Sequence, residues 1–100
     1  MDLALRPIAS ICKILSDENR LRLLLAIRDE KKSVSQLVEE LGLSQPLVSH
    51  HLKELRYRHL VKAQRNGPFV YYELTNPNII DMLTQFDSLV SELMDTYQPF

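Results

Sequence analysis

Glycine is scarce in this chain: two residues in 100, Gly42 and Gly67. That leaves no material for a Gly-rich loop around a nucleotide phosphate. Cysteine is scarcer still, with Cys12 alone, which excludes an internal disulfide framework and a cysteine-rich zinc site within one chain. Long apolar runs are missing too. The longest, Leu23 to Ile27, has five residues, against the ~18 of a membrane span. Arg6 and Pro7 interrupt the N-terminal stretch, so no secretory signal is expected there. No nucleophile–base pair, paired-carboxylate cleft or cofactor loop is evident, so no enzyme and no cofactor is expected. These absences lead us to expect a soluble cytoplasmic protein that does not enter membranes.

What is present is ordinary globular composition, with 45% apolar and 25% charged residues. A chain of this length makes a single domain, here residues 1–100. The net charge of −1 hides an uneven distribution. Residues 1–43 are neutral overall. Residues 44–72 hold Lys53, Arg56, Arg58, Lys62 and Arg65 against Glu54 alone, a net +4. Residues 73–100 hold five carboxylates and no Lys or Arg. All three histidines, His50, His51 and His59, fall in the basic middle.

Periodicity organises the chain. Ala4, Ile8, Ile11 and Leu15 step by helical intervals, with Pro7 tolerated near the first turn. Ser16 or Asp17 then caps a second helix, whose Leu21, Leu24, Leu25 and Ile27 form a broad apolar face. Ser35 is the expected N-cap of a short third helix with Leu37, Val38 and Leu41 inside, and Gly42 stops it. Ser44 caps a fourth helix, about Gln45 to Arg58, with Pro46 in its first turn. Two helices joined by so tight a turn read as a helix-turn-helix, about residues 35–58. Val48, Leu52 and Leu55 are the inner stripe of the fourth helix. Its outer side carries Gln45, Ser49, His50, Lys53 and Arg56.

Asn66-Gly67 between two β-rich runs predicts a hairpin over about residues 61–74. Pro68 lacks an N–H, so a loop longer than two residues is expected. Alternation sends one of Tyr71 and Tyr72 inward and the other outward. Thr75 or Asn76 caps a last helix, about 77–96, with Pro77 at its first position. There Ile79, Leu83, Phe86, Val90, Leu93 and Tyr97 repeat by fours and threes, widened by Met82 and Leu89. So long an apolar face favours a second subunit. With the first helix (about 3–15), it predicts a homodimer interface of Ile8, Ile11, Leu15, Ile79, Leu83, Phe86, Val90 and Leu93.

The order helix, helix, helix-turn-helix, hairpin, helix predicts a mainly α winged helix-turn-helix. A helix fits the major groove of duplex DNA, and its polar face must reach bases and phosphates. Ser44, Gln45, Pro46, Ser49 and His50 are the candidate contacts near bases. Lys53, Arg56 and Arg58 supply charge to the backbone, and Arg65 and Asn66 extend the surface at the wing tip.

Four segments carry a family resemblance: Leu15–Leu24 (LSDENRLRLL), Ser33–Leu37 (SVSQL), Leu43–Leu55 (LSQPLVSHHLKEL) and Leu60–Leu74 (LVKAQRNGPFVYYEL). Together the chain resembles the ArsR/SmtB family of repressors along nearly its whole length. The resemblance implies a homodimer on the first and last helices, an inverted-repeat operator, and an effector that lowers DNA affinity. The family's sensing sites do not carry over. One uses a Cys-Val-Cys pair where this chain has Ser33-Val34-Ser35, and hydroxyls are poor ligands for soft ions. The other crosses the dimer at the last helix, where the corresponding positions are Asn76, Asn78, Leu89 and Glu92. One carboxylate without imidazole cannot make a tetrahedral zinc site. The expectation is a repressor with no metal site of either kind, answering a non-metal or thiol signal. Cys12 reads first as dimer-core packing and second as a redox group. Two rival readings stand beside this one. The first is an unusual metal site using Asp81, Asp87 and Glu92. The second is a winged-helix module that binds protein.

Overall fold

Leu23, Leu24 and Ile27, three members of the longest apolar run, decide where the core forms. Their exposures are 0%, 0% and 2%. In the computed structural model, which describes residues 2–96, the elements run α1 (Leu5–Ile14), α2 (Glu18–Ala26), β1 (Lys32–Ser33), α3 (Val34–Leu41), α4 (Gln45–Tyr57), β2 (Val61–Asn66), β3 (Phe69–Leu74) and α5 (Asn78–Asp95). Around α2 gather Leu37 of α3, Val48, Leu52 and Leu55 of α4, Ile14 of α1, and Leu60 and Val61 at the start of the hairpin. This is the expected winged helix-turn-helix order.

Two expected apolar faces turn differently. Leu25 is exposed and Leu21 only half-buried, while Leu23 goes inside. A helix that is apolar on most sides does not declare its phase. On α1, Ile14 enters the core, whereas Ile8 is exposed and Ile11 and Leu15 are half-buried against it. The stripe of α1 therefore faces outward along a groove.

The helix ends follow capping chemistry. Asp17 accepts the Arg20 N–H at 3.1 Å and Ser44 accepts that of Leu47 at 3.3 Å. Gly42 ends α3 in the left-handed region at φ 67°. The N-cap of α3 is Ser33 rather than Ser35. Its Oγ accepts the Gln36 N–H at 3.2 Å, and Gln36 Oε1 accepts the Ser33 N–H at 2.8 Å. That reciprocal pair requires Gln three places on, which Ser33 has and Ser35 lacks. We expect Ser33→Ala to lower stability by about 1 kcal/mol in urea unfolding. At α5, Pro77 occupies the N-cap itself, and Asn76 Oδ1 accepts the Asn78 N–H at 2.9 Å.

The sheet has three antiparallel strands in the order β1-β3-β2. The short β1, paired through Lys32 with Tyr72 and Ser33 with Tyr71, is an addition to the expected hairpin. Asn66 pairs with Phe69, so the loop is only Gly67-Pro68. Gly67 has φ 65°, the sign a primed turn demands, and Pro68 sits outside the ladder where its missing N–H costs nothing. Tyr72 packs toward the core, while Tyr71 lies under the Lys31 ammonium, 5.6 Å from its ring centroid.

Helix α5 has no buried residue. Ile79 and Leu83 lean on the core, but Phe86, Leu89 and Leu93 are about half exposed, at 55%, 47% and 54%. Tyr97, the last step of the expected stripe, lies outside the described residues.

Candidate nucleic-acid interface

Helix α4 is fixed by one side and free on the other. Val48, Leu52 and Leu55 are fully buried. A helix repeats every 3.6 residues, so the opposite arc must face out. There Gln45, Pro46, Ser49, His50, Lys53 and Arg56 are all exposed. Gln45, Ser49, Lys53 and Arg56, spaced by fours and a three, share one edge. Among the described residues no ion pair engages Lys53, Arg56 or Arg65. Their charges are available to an external anion. Ser44, also exposed, spends its hydroxyl on the cap. Arg65 and Asn66 stand apart from this edge, exposed at the turn of the hairpin.

His51 faces the other way and is 5% exposed. Its Nδ1 lies 3.3 Å from an Arg20 guanidinium nitrogen, and its Nε2 lies 3.8 Å from Asp17 Oδ1. Arginine only donates, so Nδ1 must present its lone pair and Nε2 carries the proton. Arg20 Nε also donates to the Ile14 carbonyl at 2.6 Å. One guanidinium thus joins the end of α1 to the middle of α4. Burial pushes the imidazole below its ordinary 6.5; Asp17 and Glu54 pull upward, while the charges of Arg20 and His50 push it further down. Asp17 is held below 3.8, first by the Arg20 N–H. Arg22 makes a parallel tie, donating to the Leu41 carbonyl at 2.9 Å at the end of α3. Sequence reasoning gave Arg20 and Arg22 no role. Two arginines inside an apolar helix were the available signal.

The expected dimer residues come together in part. Ile8, Ile11, Leu15, Leu83 and Phe86 line one apolar groove of about 670 Å³ between α1 and α5. Cys12 is exposed and lines the same groove. Val90 lies further along, in a second groove with Leu21, Leu25 and Phe86. Ile79 leans on the core, and Leu93 is exposed beyond. Two side chains at positions that the family resemblance links to metal sensing are engaged at helix starts. Ser33 is a cap, and Asn76 holds the start of α5. Among the described residues no three His, Cys, Asp or Glu side chains cluster as metal ligands would.

The profile described as bacterial regulatory protein, arsR family, matches residues 17–63. The arsenical resistance operon repressor of Staphylococcus xylosus is 34% identical over 80 residues, which are 80% of this chain and 76% of that protein. The chain belongs to the arsR family. Members of the arsR family are regulatory proteins, not enzymes. Another relative, the HTH-type transcriptional regulator KmtR of Mycobacterium tuberculosis, is 33% identical over 72 residues, covering 72% of this chain. The chain spans little more than half of that relative's length, 55%. In three dimensions it superposes on the homodimeric winged helix-turn-helix DNA-binding domain Mb0332 of Mycobacterium bovis, described as a possible ArsR-family regulator. The TM-score is 0.80 at 21% identity, covering 96% of this chain and 89% of that one, a match of fold.

Proposed function

We propose that this arsR-family chain is a cytoplasmic transcriptional repressor, a single DNA-binding domain that binds an inverted-repeat operator as a homodimer. The observation that carries the reading is the exposed edge of α4. There Gln45, Ser49, Lys53 and Arg56 align opposite a fully buried stripe, and among the described residues no ion pair engages Lys53 or Arg56. Gln45, Ser49 and His50 read base edges in the major groove, beside Pro46 and the capping Ser44. Lys53 and Arg56 hold the backbone. Arg65 and Asn66 reach the neighbouring groove from the wing. The half-exposed face of α5 and the groove beside α1 support dimerisation there, as does the homodimeric state of the Mycobacterium bovis domain.

The signal is a non-metal or thiol-reactive one. Hydroxyls and amides at Ser33, Ser35, Asn76 and Asn78 do not suit the ions that the family's two sites take. Cys12, exposed beside the α1 stripe, is the group a thiol-directed signal would modify. A signal acts by favouring a dimer shape that fits DNA less well.

The test is fluorescence anisotropy with untagged protein and DNA from upstream of its own coding sequence, in chelator and then with zinc. Tight, salt-sensitive binding that zinc leaves unchanged is expected. Ser49→Ala should cost about 1–3 kcal/mol of discrimination between operator and scrambled duplex. Arg65→Gln should weaken both duplexes alike and lower the salt dependence by about one phosphate contact. Release of DNA by stoichiometric zinc would overturn the non-metal assignment. Absence of salt-sensitive binding to any duplex would favour a protein-binding module.

A further inference from the structure

We propose that Arg20 is a positioning residue for operator spacing: it fixes the angle between α1 and the reading helix α4, and so the separation of the two reading helices in a dimer. The proposal rests on the reading of the chain as a homodimer on paired half-sites. It adds a residue that lies outside both the DNA-facing edge of α4 and the apolar groove between α1 and α5.

Apolar burial holds α1 and α4 in one core but leaves their angle loose. Ile14 of α1 shares the buried cluster with Val48, Leu52 and Leu55, and such contacts are non-directional. Away from that point the two helices part. An open cleft of about 750 Å³ lies between Pro7, Ser10 and Ile11 of α1 and Lys53, Arg56 and Tyr57 of α4. Among the described residues no hydrogen bond or ion pair runs directly from α1 to α4. The directional link is Arg20 of α2.

Its Nε donates to the Ile14 carbonyl at 2.6 Å, and a second nitrogen of the same guanidinium meets His51 Nδ1 at 3.3 Å. The group is planar and rigid, so two bonds from one fork set the two helices relative to each other. Asp17 braces the joint. Its Oδ1 accepts the Arg20 backbone N–H at 3.1 Å and lies 3.8 Å from His51 Nε2. Among the described residues no buried side-chain nitrogen or oxygen lacks a partner. A polar network satisfied in this way favours one arrangement of the elements it joins.

The joint meets α4 at its middle, directly behind the reading positions. His51 adjoins the exposed His50, and the two rings are 5.4 Å apart. The 13 residues of α4 span about 20 Å. A swing of about 20° around His51 would move either end, about 10 Å away, by about 3.5 Å. Half-sites 10–10.5 base pairs apart are about 34–36 Å apart, so one base pair is worth about 3.4 Å. Loss of the joint is therefore comparable with one base pair of register. An apolar truncation elsewhere in the core costs stability without freeing this angle.

The test varies spacing as well as affinity. The upstream site protected in hydroxyl-radical footprinting is rebuilt with one base pair added to or removed from its spacer. Each duplex is titrated by anisotropy at about 15 °C, near the usual maximum of stability, with circular dichroism to establish that each variant is folded. Wild type should lose about tenfold in affinity on either change. Arg20→Lys keeps the charge but lacks the fork, and should shrink that ratio to about twofold. His51→Leu, which removes the acceptor, should do the same. His51→Asn, whose Oδ1 can accept where Nδ1 did, should keep most of the wild-type ratio. Leu24→Ala truncates the buried face of α2 at a comparable cost in stability, and should keep it too. Wild-type ratios in folded Arg20→Lys and His51→Leu would overturn the proposal and spare the DNA-binding reading. So would an equal flattening in Leu24→Ala, which would trace the effect to stability alone. A wild type indifferent to spacing would remove the paired half-sites, and one that binds no duplex would remove DNA reading itself; either takes the proposal with it.

Discussion

Leu52→Ala is expected to lower the stability of the fold by about 3–4 kcal/mol, near the upper part of the range for buried leucines. Leu52 is fully buried, in the cluster that contains Leu23 and Leu24 of α2, Leu37 of α3, and Val48 and Leu55 of its own helix. Several rigid elements border it, so a cavity left there cannot collapse cheaply. Domains of this size have total stabilities of about 5–15 kcal/mol, so one truncation removes a large share. A loss of 1 kcal/mol shifts Tm by roughly 4–8 °C in a chain this long. The measurement is urea unfolding at fixed protein concentration, because dimerisation would also stabilise the folded state. The midpoint should fall with the slope unchanged. Phe86→Ala makes the contrast. Phe86 is 55% exposed in the chain, so its loss should act on association and its concentration dependence more than on the core. A cost below about 1 kcal/mol for Leu52→Ala would mean that α4 is not anchored as described.

The anchor and the exposed edge of α4 were legible in the sequence for one reason. Val48, Leu52 and Leu55 fix the helical phase, and the phase then assigns Gln45, Ser49, Lys53 and Arg56 to the outside without further information. Gly42 and Ser44 were legible too, and Asp17 as one of two candidates with Ser16, because a cap draws on only a few residues; the α3 cap was not, since Ser33 and Ser35 compete and only the reciprocal bonds of Ser33 with Gln36 decide between them. The inner face of α2 was not. Where nearly every position is apolar, only the neighbours decide that Leu23 goes in and Leu25 stays out. Strand β1 escaped notice because two residues carry no periodicity, and its partners lie some forty positions away. The hairpin loop was misjudged by treating Pro68 as a ladder residue when it occupies the turn. The tie among Asp17, Arg20 and His51 spans 31 residues between Arg20 and His51, so no local pattern announces it.

That tie sets the second large effect. Arg20→Ala should cost about 2–3 kcal/mol, because it strands the Ile14 carbonyl and His51 Nδ1 together. Arg20→Lys should recover little, since an ammonium lacks the planar fork that serves two acceptors in different directions. In a double-mutant cycle with His51→Ala, the two losses should fall short of additivity by about 1 kcal/mol. Additivity within about 0.3 kcal/mol would show that the two side chains do not act together. The pH dependence follows from the same geometry. Burial first, and then the Arg20 cation beside Nδ1, disfavour the charged ring more than Asp17 favours it, so the fold holds the imidazole below its ordinary 6.5. The unfolded chain then binds the extra proton first. Stability from this group is complete above pH 6.5 and declines as pH falls below it. Asp17, held below 3.8, adds its own loss only at still lower pH. His51→Gln should flatten the first decline and leave the second. Because Arg20 also holds the last turn of α1, the same acid range should loosen α4 from α1. DNA affinity measured alongside unfolding should therefore fall with stability in the wild type, and hold its value in His51→Gln. If the wild type kept constant stability from pH 7.5 to 5.5, the buried neutral histidine would have no energetic consequence and the tie would be incidental packing.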